Sequence, residues 1–165
     1  MSYFIIVRGP LGIGKSTIAQ ELTKILGAKY FPIDRILEEY NLTDEKEKGY
    51  ISQKSFISAN KIISPEIQNI LALNIPVVID GNFYWQSQID DLIKRLNSPN
   101  YIFTLKAPLE TCIERDRKRN GSHGADAAEA VYRKSTELNC GISIDTQNKT
   151  SADVVKEILF SLKMK

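Results

Sequence analysis

Apolar residues in this chain fall into short continuous runs, separated by longer stretches where they recur every three or four positions. The run Tyr3-Phe4-Ile5-Ile6-Val7 ends at Arg8, and Ile75-Pro76-Val77-Val78-Ile79 ends at Asp80-Gly81. Such runs belong to parallel strands covered on both faces. Tyr101-Ile102-Phe103-Thr104-Leu105 reads the same way, and shorter strands are expected at Lys29-Tyr30-Phe31 and Ile142-Ser143-Ile144-Asp145. Between them the helical period takes over. Ile18, Ala19, Leu22, Ile25 and Leu26 mark one helix, which Gly27 is placed to end. Arg35 to Tyr40 carries a short helical pattern, and Ser52 to Leu73 reads as one broken helix or two consecutive ones, because Ser64-Pro65 offers a fresh N-terminus midway. Ile89, Leu92, Ile93 and Leu96 mark another helix, stopped by Asn97-Ser98-Pro99. Pro108 opens the next at its first position, a further helix runs through Tyr132, and Ser151 is expected to cap a last one bearing Val154, Val155, Ile158 and Leu159.

Five strands alternating with helices predict a three-layer α/β domain with a five-stranded parallel sheet. In such sheets the ligand lies beyond the carboxyl ends of the strands. The 165 residues suffice for one domain, 1–165, burying about two thirds of its unfolded surface. A hydrophobic content of 42% with 25% charged residues is that of an ordinary globular chain, and a net charge of +2 is too small to argue for a nucleic-acid or membrane surface. Cys112 and Cys140 have no CxxC partner and no histidine at ligand spacing, so two reduced thiols are expected rather than zinc or a disulfide. The opening apolar run is too short for a signal h-region or a membrane span, which makes a cytoplasmic protein without a membrane partner the expectation. The charged stretch Asn41 to Gly49 reads as solvated loop.

Chemistry enters with Gly9-Pro10-Leu11-Gly12-Ile13-Gly14-Lys15-Ser16-Thr17, a strand-to-helix turn with the spacing of a phosphate-binding P-loop. Gly9, Gly12 and Gly14 let successive N–H groups point into one concavity, and the helix that starts near Lys15 adds the positive end of its dipole. In this arrangement Lys15 reaches the outer phosphates, the Ser16 hydroxyl ligates magnesium, and Thr17 points to the inner phosphates. Asp80 closes an apolar strand as a Walker B acid does, so it would hold magnesium through water or orient Ser16; a simple Asp-Gly turn is the competing reading. Asp34, at or just past a strand end, is the candidate general base, with an N-cap role as its competitor. Arg115 and Arg119 stand four apart on one helix face ahead of Gly121-Ser122-His123-Gly124, as suits a lid over a nucleotide. Phe83, Tyr84 and Trp85 either stack on a ligand ring or pack beneath the preceding helix. Thr146-Gln147-Asn148-Lys149-Thr150 resembles a guanine-reading motif but has Ser151 where the acid should be, and His123 reads as a lid residue rather than a catalyst.

Together these features resemble the small P-loop kinases, a group that includes nucleoside monophosphate, shikimate and gluconate kinases, chloramphenicol phosphotransferase, zeta toxins and polynucleotide kinases. The stretch from Ala107-Pro108 through Arg119-Asn120-Gly121 to Val131-Tyr132-Arg133 is most similar to the lid of the polynucleotide-kinase-like members. The resemblance implies a strand order of 2-3-1-4-5, a small helical lid at about 115–133, and a segment after the last strand that passes near adenine. It also implies that Asp34 is the base, that Arg115 contacts adenine or phosphates and that Arg119 clamps the β/γ-phosphates. Two departures stand out. Leu37 occupies the position where a polynucleotide kinase would place an arginine, and the Gly-Phe-Pro-Arg motif of adenylate-type kinases is missing. The expected function is a kinase using ATP and Mg2+ that transfers the γ-phosphoryl group to a hydroxyl of a small molecule or of a 5′-hydroxyl nucleic-acid end. A nucleotide-hydrolysing switch without an acceptor is the alternative. Either a monomer or a homodimer fits.

Overall fold

The structure, a computed structural model, describes residues 2–118 and 124–163. Its strands are β1 (Phe4–Arg8), β2 (Lys29–Pro32), the short pair β3 (Lys46–Glu47) and β4 (Tyr50–Ile51), β5 (Val77–Gly81), β6 (Asn100–Lys106) and β7 (Ile142–Asp145). The helices are α1 (Lys15–Leu26), α2 (Ile33–Glu39), α3 (Gln53–Ala72), α4 (Gln86–Leu96), α5 (Leu109–Lys118), α6 (Ala125–Glu137) and α7 (Ser151–Lys163). Five strands pair in parallel in the order β2-β5-β1-β6-β7, which is 2-3-1-4-5 when they are numbered among themselves.

Because alternate side chains of a strand face opposite ways, the unbroken apolar runs supply two cores at once. Phe4, Ile6, Val77 and Ile79 pack with Leu37 of α2, Phe56 and Ile67 of α3 and Leu92 of α4. Ile5, Val7, Val78 and Phe103 face Ile18 and Leu22 of α1 and Val155 and Ile158 of α7. Strand register then decides what meets at the carboxyl edge. Asp80 pairs with Val7 on one side and with Pro32 on the other, so β1 runs into the P-loop while β2 runs into Asp34 just beyond Asp80.

Three local expectations are corrected. Ser52–Leu73 holds one continuous helix, α3, with Pro65 inside it rather than a break. The stripe Phe56, Ile63, Ile67, Leu71 continues across the proline and stays buried, and that packing outweighs the roughly 3 kcal/mol an interior proline costs. Ser151 does not cap α7: Thr150 Oγ1 accepts from the Asp153 N–H at 3.2 Å while Asp153 accepts from the Thr150 N–H, a reciprocal capping box. Ser151 instead donates to Glu21 Oε1 of α1 at 2.8 Å. The charged stretch 41–49 is not all loop, since Lys46-Glu47 pairs with Tyr50-Ile51 in an antiparallel hairpin.

Candidate active site

Parts of the P-loop backbone lie against neighbours that leave no room for side chains. Gly12 has φ +73°, and a Cβ there would come 2.2 Å from the carbonyl oxygen of Cys112 on α5. Gly14, at φ +95°, is the N-cap of α1, and no side chain caps that helix. Its first-turn amides therefore lack the competing side-chain acceptor found at most helix starts, the arrangement that suits an anion. Lys15 is nearly buried, and its Nζ donates to the Pro10 carbonyl at 2.8 Å across the loop.

Ser16 Oγ donates to Asp80 Oδ2 at 2.8 Å. Asp80 is 3% exposed and its Oδ1 has no hydrogen-bond partner. An orphaned buried carboxylate oxygen is costly unless something positive completes it. Burial raises the Asp80 carboxyl above its usual range, against hydrogen bonds from Tyr30 and Ser16 and the charge of Lys15. Tyr30, facing Asp80 from β2, has its phenol raised by burial and by that carboxylate. Among the described residues no cluster of three or more His, Cys, Asp or Glu side chains could hold a metal. A magnesium ion that takes most of its ligands from water and phosphate needs no such cluster, and the Ser16–Asp80 pair fits it.

Two cavities open on either side of the loop. The first, about 320 Å³, is lined by Gly12, Ile13, Gly14 and Thr17 on the loop side and by Arg115, Thr146 and Lys149 opposite. Arg115 is fixed there: Nη1 donates to Thr146 Oγ1 and Nη2 to the Thr146 carbonyl, both at 3.0 Å, with a longer bond from Nη1 to the Ile13 carbonyl. The segment set aside as a false guanine motif thus forms one wall of this cavity. The second cavity, about 340 Å³, is lined by Leu11, Asp34, Leu37, Asn82, Tyr84 and Val131 among others. Asp34 sits in the first turn of α2, whose N-cap is Pro32, so the capping reading of Asp34 is set aside. Burial raises its carboxyl; Lys15 opposes, Asp80 adds to the rise, a hydrogen bond from the Asn82 backbone opposes, and Glu38 adds again. Lys15, Asp34 and Asp80 therefore share one electrostatic environment. Arg119 and His123 lie outside the described residues.

The aromatic cluster packs rather than lying open. Phe83, Tyr84 and Trp85 are all buried, and Phe56 of α3 meets Tyr84 edge-on at 5.3 Å. Tyr84 accepts from the Ile51 N–H at 3.1 Å and Trp85 Nε1 donates to the Ile51 carbonyl at 2.8 Å, which clips the hairpin over the second cavity. Helix α6 contacts this cluster as well. Tyr50 Oη donates to the Ala130 carbonyl at 3.2 Å, and Lys134 Nζ lies 4.3 Å from the Trp85 ring centroid.

Sequence reading missed Arg8, Asn82 and Tyr30. Arg8 is fully buried at the end of β1 and donates to Phe83 O, Thr104 Oγ1, Leu138 O and Ser135 O, tying the C-terminal end of α6 to the sheet. Burial lowers its guanidinium to about 10, still charged at neutral pH. The available signal was a cation closing a strand that is otherwise wholly apolar. Replacing Arg8 with methionine leaves those carbonyls unpaired, and we expect a loss of about 2–4 kcal/mol in chemical denaturation, with α6 the first region to lose amide-exchange protection. Both cysteines are free, and among the described residues no helix is long and apolar enough to cross a membrane.

Comparison with known proteins agrees with this architecture. The AAA domain family model (AAA_33) matches residues 4–138. A Methanocaldococcus jannaschii protein named "Putative adenylate kinase" is 26% identical, over 98% of this chain and 86% of its own length. A gluconokinase from Sinorhizobium meliloti 1021 superposes with a TM-score of 0.77 at 18% identity, covering 97% of this chain and 91% of that one. Shikimate kinase from Acinetobacter baumannii, in complex with shikimate, does so with 0.64 at 18% identity, covering 100% and 96%. The chain belongs to the AAA domain (AAA_33) family and has the fold of the small P-loop kinases.

Proposed function

We propose that the protein is a magnesium- and ATP-dependent phosphotransferase that moves the γ-phosphoryl group to a hydroxyl of an acceptor. One observation carries this reading: two cavities border the P-loop, the first lined by Gly12, Gly14 and Arg115 and the second by Leu11 and Asp34. A hydrolase needs room only for water opposite the γ-phosphate, whereas a cavity of about 340 Å³ around a half-buried carboxylate accommodates a whole second substrate.

In this mechanism the loop amides and Lys15 hold the β- and γ-phosphates, and the nucleoside end lies in the first cavity against Arg115, Thr146 and Lys149. Thr17, on the wall of that cavity, serves the inner phosphates. Ser16 and Asp80 would hold magnesium, which supplies positive charge to the phosphates when bound. Lys15 ordinarily donates to the Pro10 carbonyl and exchanges that bond for a phosphate oxygen. Asp34 accepts the proton of the acceptor hydroxyl as its oxygen attacks phosphorus and the bond to the ADP oxygen breaks. Its raised pKa suits a base, since a carboxylate at its ordinary value is too weak a proton acceptor for an alcohol. The Asn82 backbone amide holds the carboxylate in place. Arg119 of the lid completes the charge around the transferring group, while Arg115, held by Thr146, keeps the nucleotide in the first cavity. The kinase, glucono- and shikimate-directed names of the similar proteins support the same class of reaction.

ADP formation measured against a panel of nucleosides, sugars, amino alcohols and 5′-hydroxyl oligonucleotides tests the proposal. At least one alcohol should stimulate ADP release and appear as its phosphate ester. Steady ATP hydrolysis that no alcohol stimulates would identify a nucleotide-driven switch instead.

A further inference from the structure

The second cavity also carries information about what enters it. Its charged lining residues are the carboxylates Asp34 and Glu38 and the ammonium of Lys46, and among the described residues no arginine lines it. Lys46 stands exposed on the hairpin. On α6, Lys134 is engaged above Trp85 and by Glu137 at 3.2 Å. Leu37, almost fully buried, fills the site one turn beyond the base where a phosphate-gripping arginine was to be expected. Leu11, Leu37, Ile51 and Val131 make an apolar wall, and Asn82 leaves its side-chain Oδ1 without a hydrogen-bond partner in the same lining. Asp34, Glu38 and the Asn82 Oδ1 thus offer acceptors to an occupant, and the balance of charge among the lining residues is negative.

We infer that the acceptor is a small alcohol that is uncharged or carries an amine, with an apolar face, and not a nucleoside monophosphate, a sugar acid or a nucleic-acid end. The inference rests on the phosphotransferase reading above. A phosphate or carboxylate in this cavity would lose water and meet Asp34 and Glu38 with no guanidinium among the described lining residues to pair it, a combination that buried sites avoid. An uncharged or cationic alcohol offers donors to Asp34, Glu38 and Asn82 and lays its apolar side on Leu37 and Val131.

Acceptor pairs that differ in charge but share a scaffold test this: adenosine against AMP, methyl shikimate against shikimate, and the open-chain amine glucamine against gluconate. ADP formation is followed with the wild-type protein and with Glu38→Lys, an exposed position whose replacement leaves the core untouched. For the wild type, kcat/KM should favour the uncharged or amine-bearing member of each active pair by about tenfold or more, the scale of one unit charge in a partly screened site. Glu38→Lys should shrink that ratio by a similar factor. An anionic member preferred by the wild type, a 5′-hydroxyl oligonucleotide as the best acceptor, or a ratio unmoved by Glu38→Lys would overturn the inference while leaving phosphotransfer intact. If no acceptor of either charge stimulates ADP formation by a protein that binds ATP, the phosphotransferase reading itself fails and the inference falls with it.

Discussion

Lys15→Ala should reduce phosphoryl transfer by about three orders of magnitude or more, the scale seen when a positioned charge is removed from a developing anion. The side chain is nearly buried and its ammonium already bridges the loop to the Pro10 carbonyl. It is therefore held over the cup by the same loop that supplies the amides. Because the backbone shape is imposed by Gly12 against Cys112 and by the positive φ of Gly14, alanine at position 15 should leave that shape in place. Nucleotide affinity should fall far less than the rate. Steady-state kinetics at saturating ATP, paired with calorimetric ATP binding, separates the two, and an unchanged rate would remove Lys15 from the machinery.

Asp34→Asn should slow transfer by about two to four orders of magnitude while ATP affinity stays near that of the wild type. The pH profile adds a sign. Burial sets the folded Asp34 carboxyl above its ordinary value, so the acid limb of the wild-type rate should lie above the usual carboxylate range, and asparagine should abolish that limb. Stability runs the other way. A carboxyl whose folded pKa is raised binds its proton more tightly in the folded state, so the protein loses stability as pH rises from the ordinary carboxyl value through the raised one. Asp34→Asn should consequently be as stable as the wild type or more stable at neutral pH, measured by thermal melting. A slow variant that is also markedly unstable would point to a structural role instead.

Most of the architecture was legible because the strands are continuous apolar runs and each ends in a residue of distinct chemistry: the P-loop after Val7, Asp34 beyond Phe31, and Asp80 after Ile79. The rule that ligands gather at strand ends then brings these together without any knowledge of register. What escaped depended on partners distant in sequence. Nothing local says that Pro65 sits inside a helix; the continuity of its buried stripe against α4 decides it. Nothing local says that Arg8 reaches α6 or that Asn82 steadies Asp34, because those contacts exist only once β1, β5, α2 and α6 are side by side. The aromatic triplet after Asp80 was ambiguous for the same reason. Its rings were chosen for packing, and its polar tips for Ile51, by a hairpin whose existence the charged stretch 41–49 did not announce.

The most direct test is a single turnover of γ-labelled ATP in heavy-oxygen water with the best acceptor alcohol present. The label should leave on the acceptor as a phosphate ester containing no solvent oxygen, and Asp34→Asn, with ATP bound, should form that ester far more slowly. Release of all the label as inorganic phosphate carrying one solvent oxygen, at the same rate in both proteins, would contradict this mechanism.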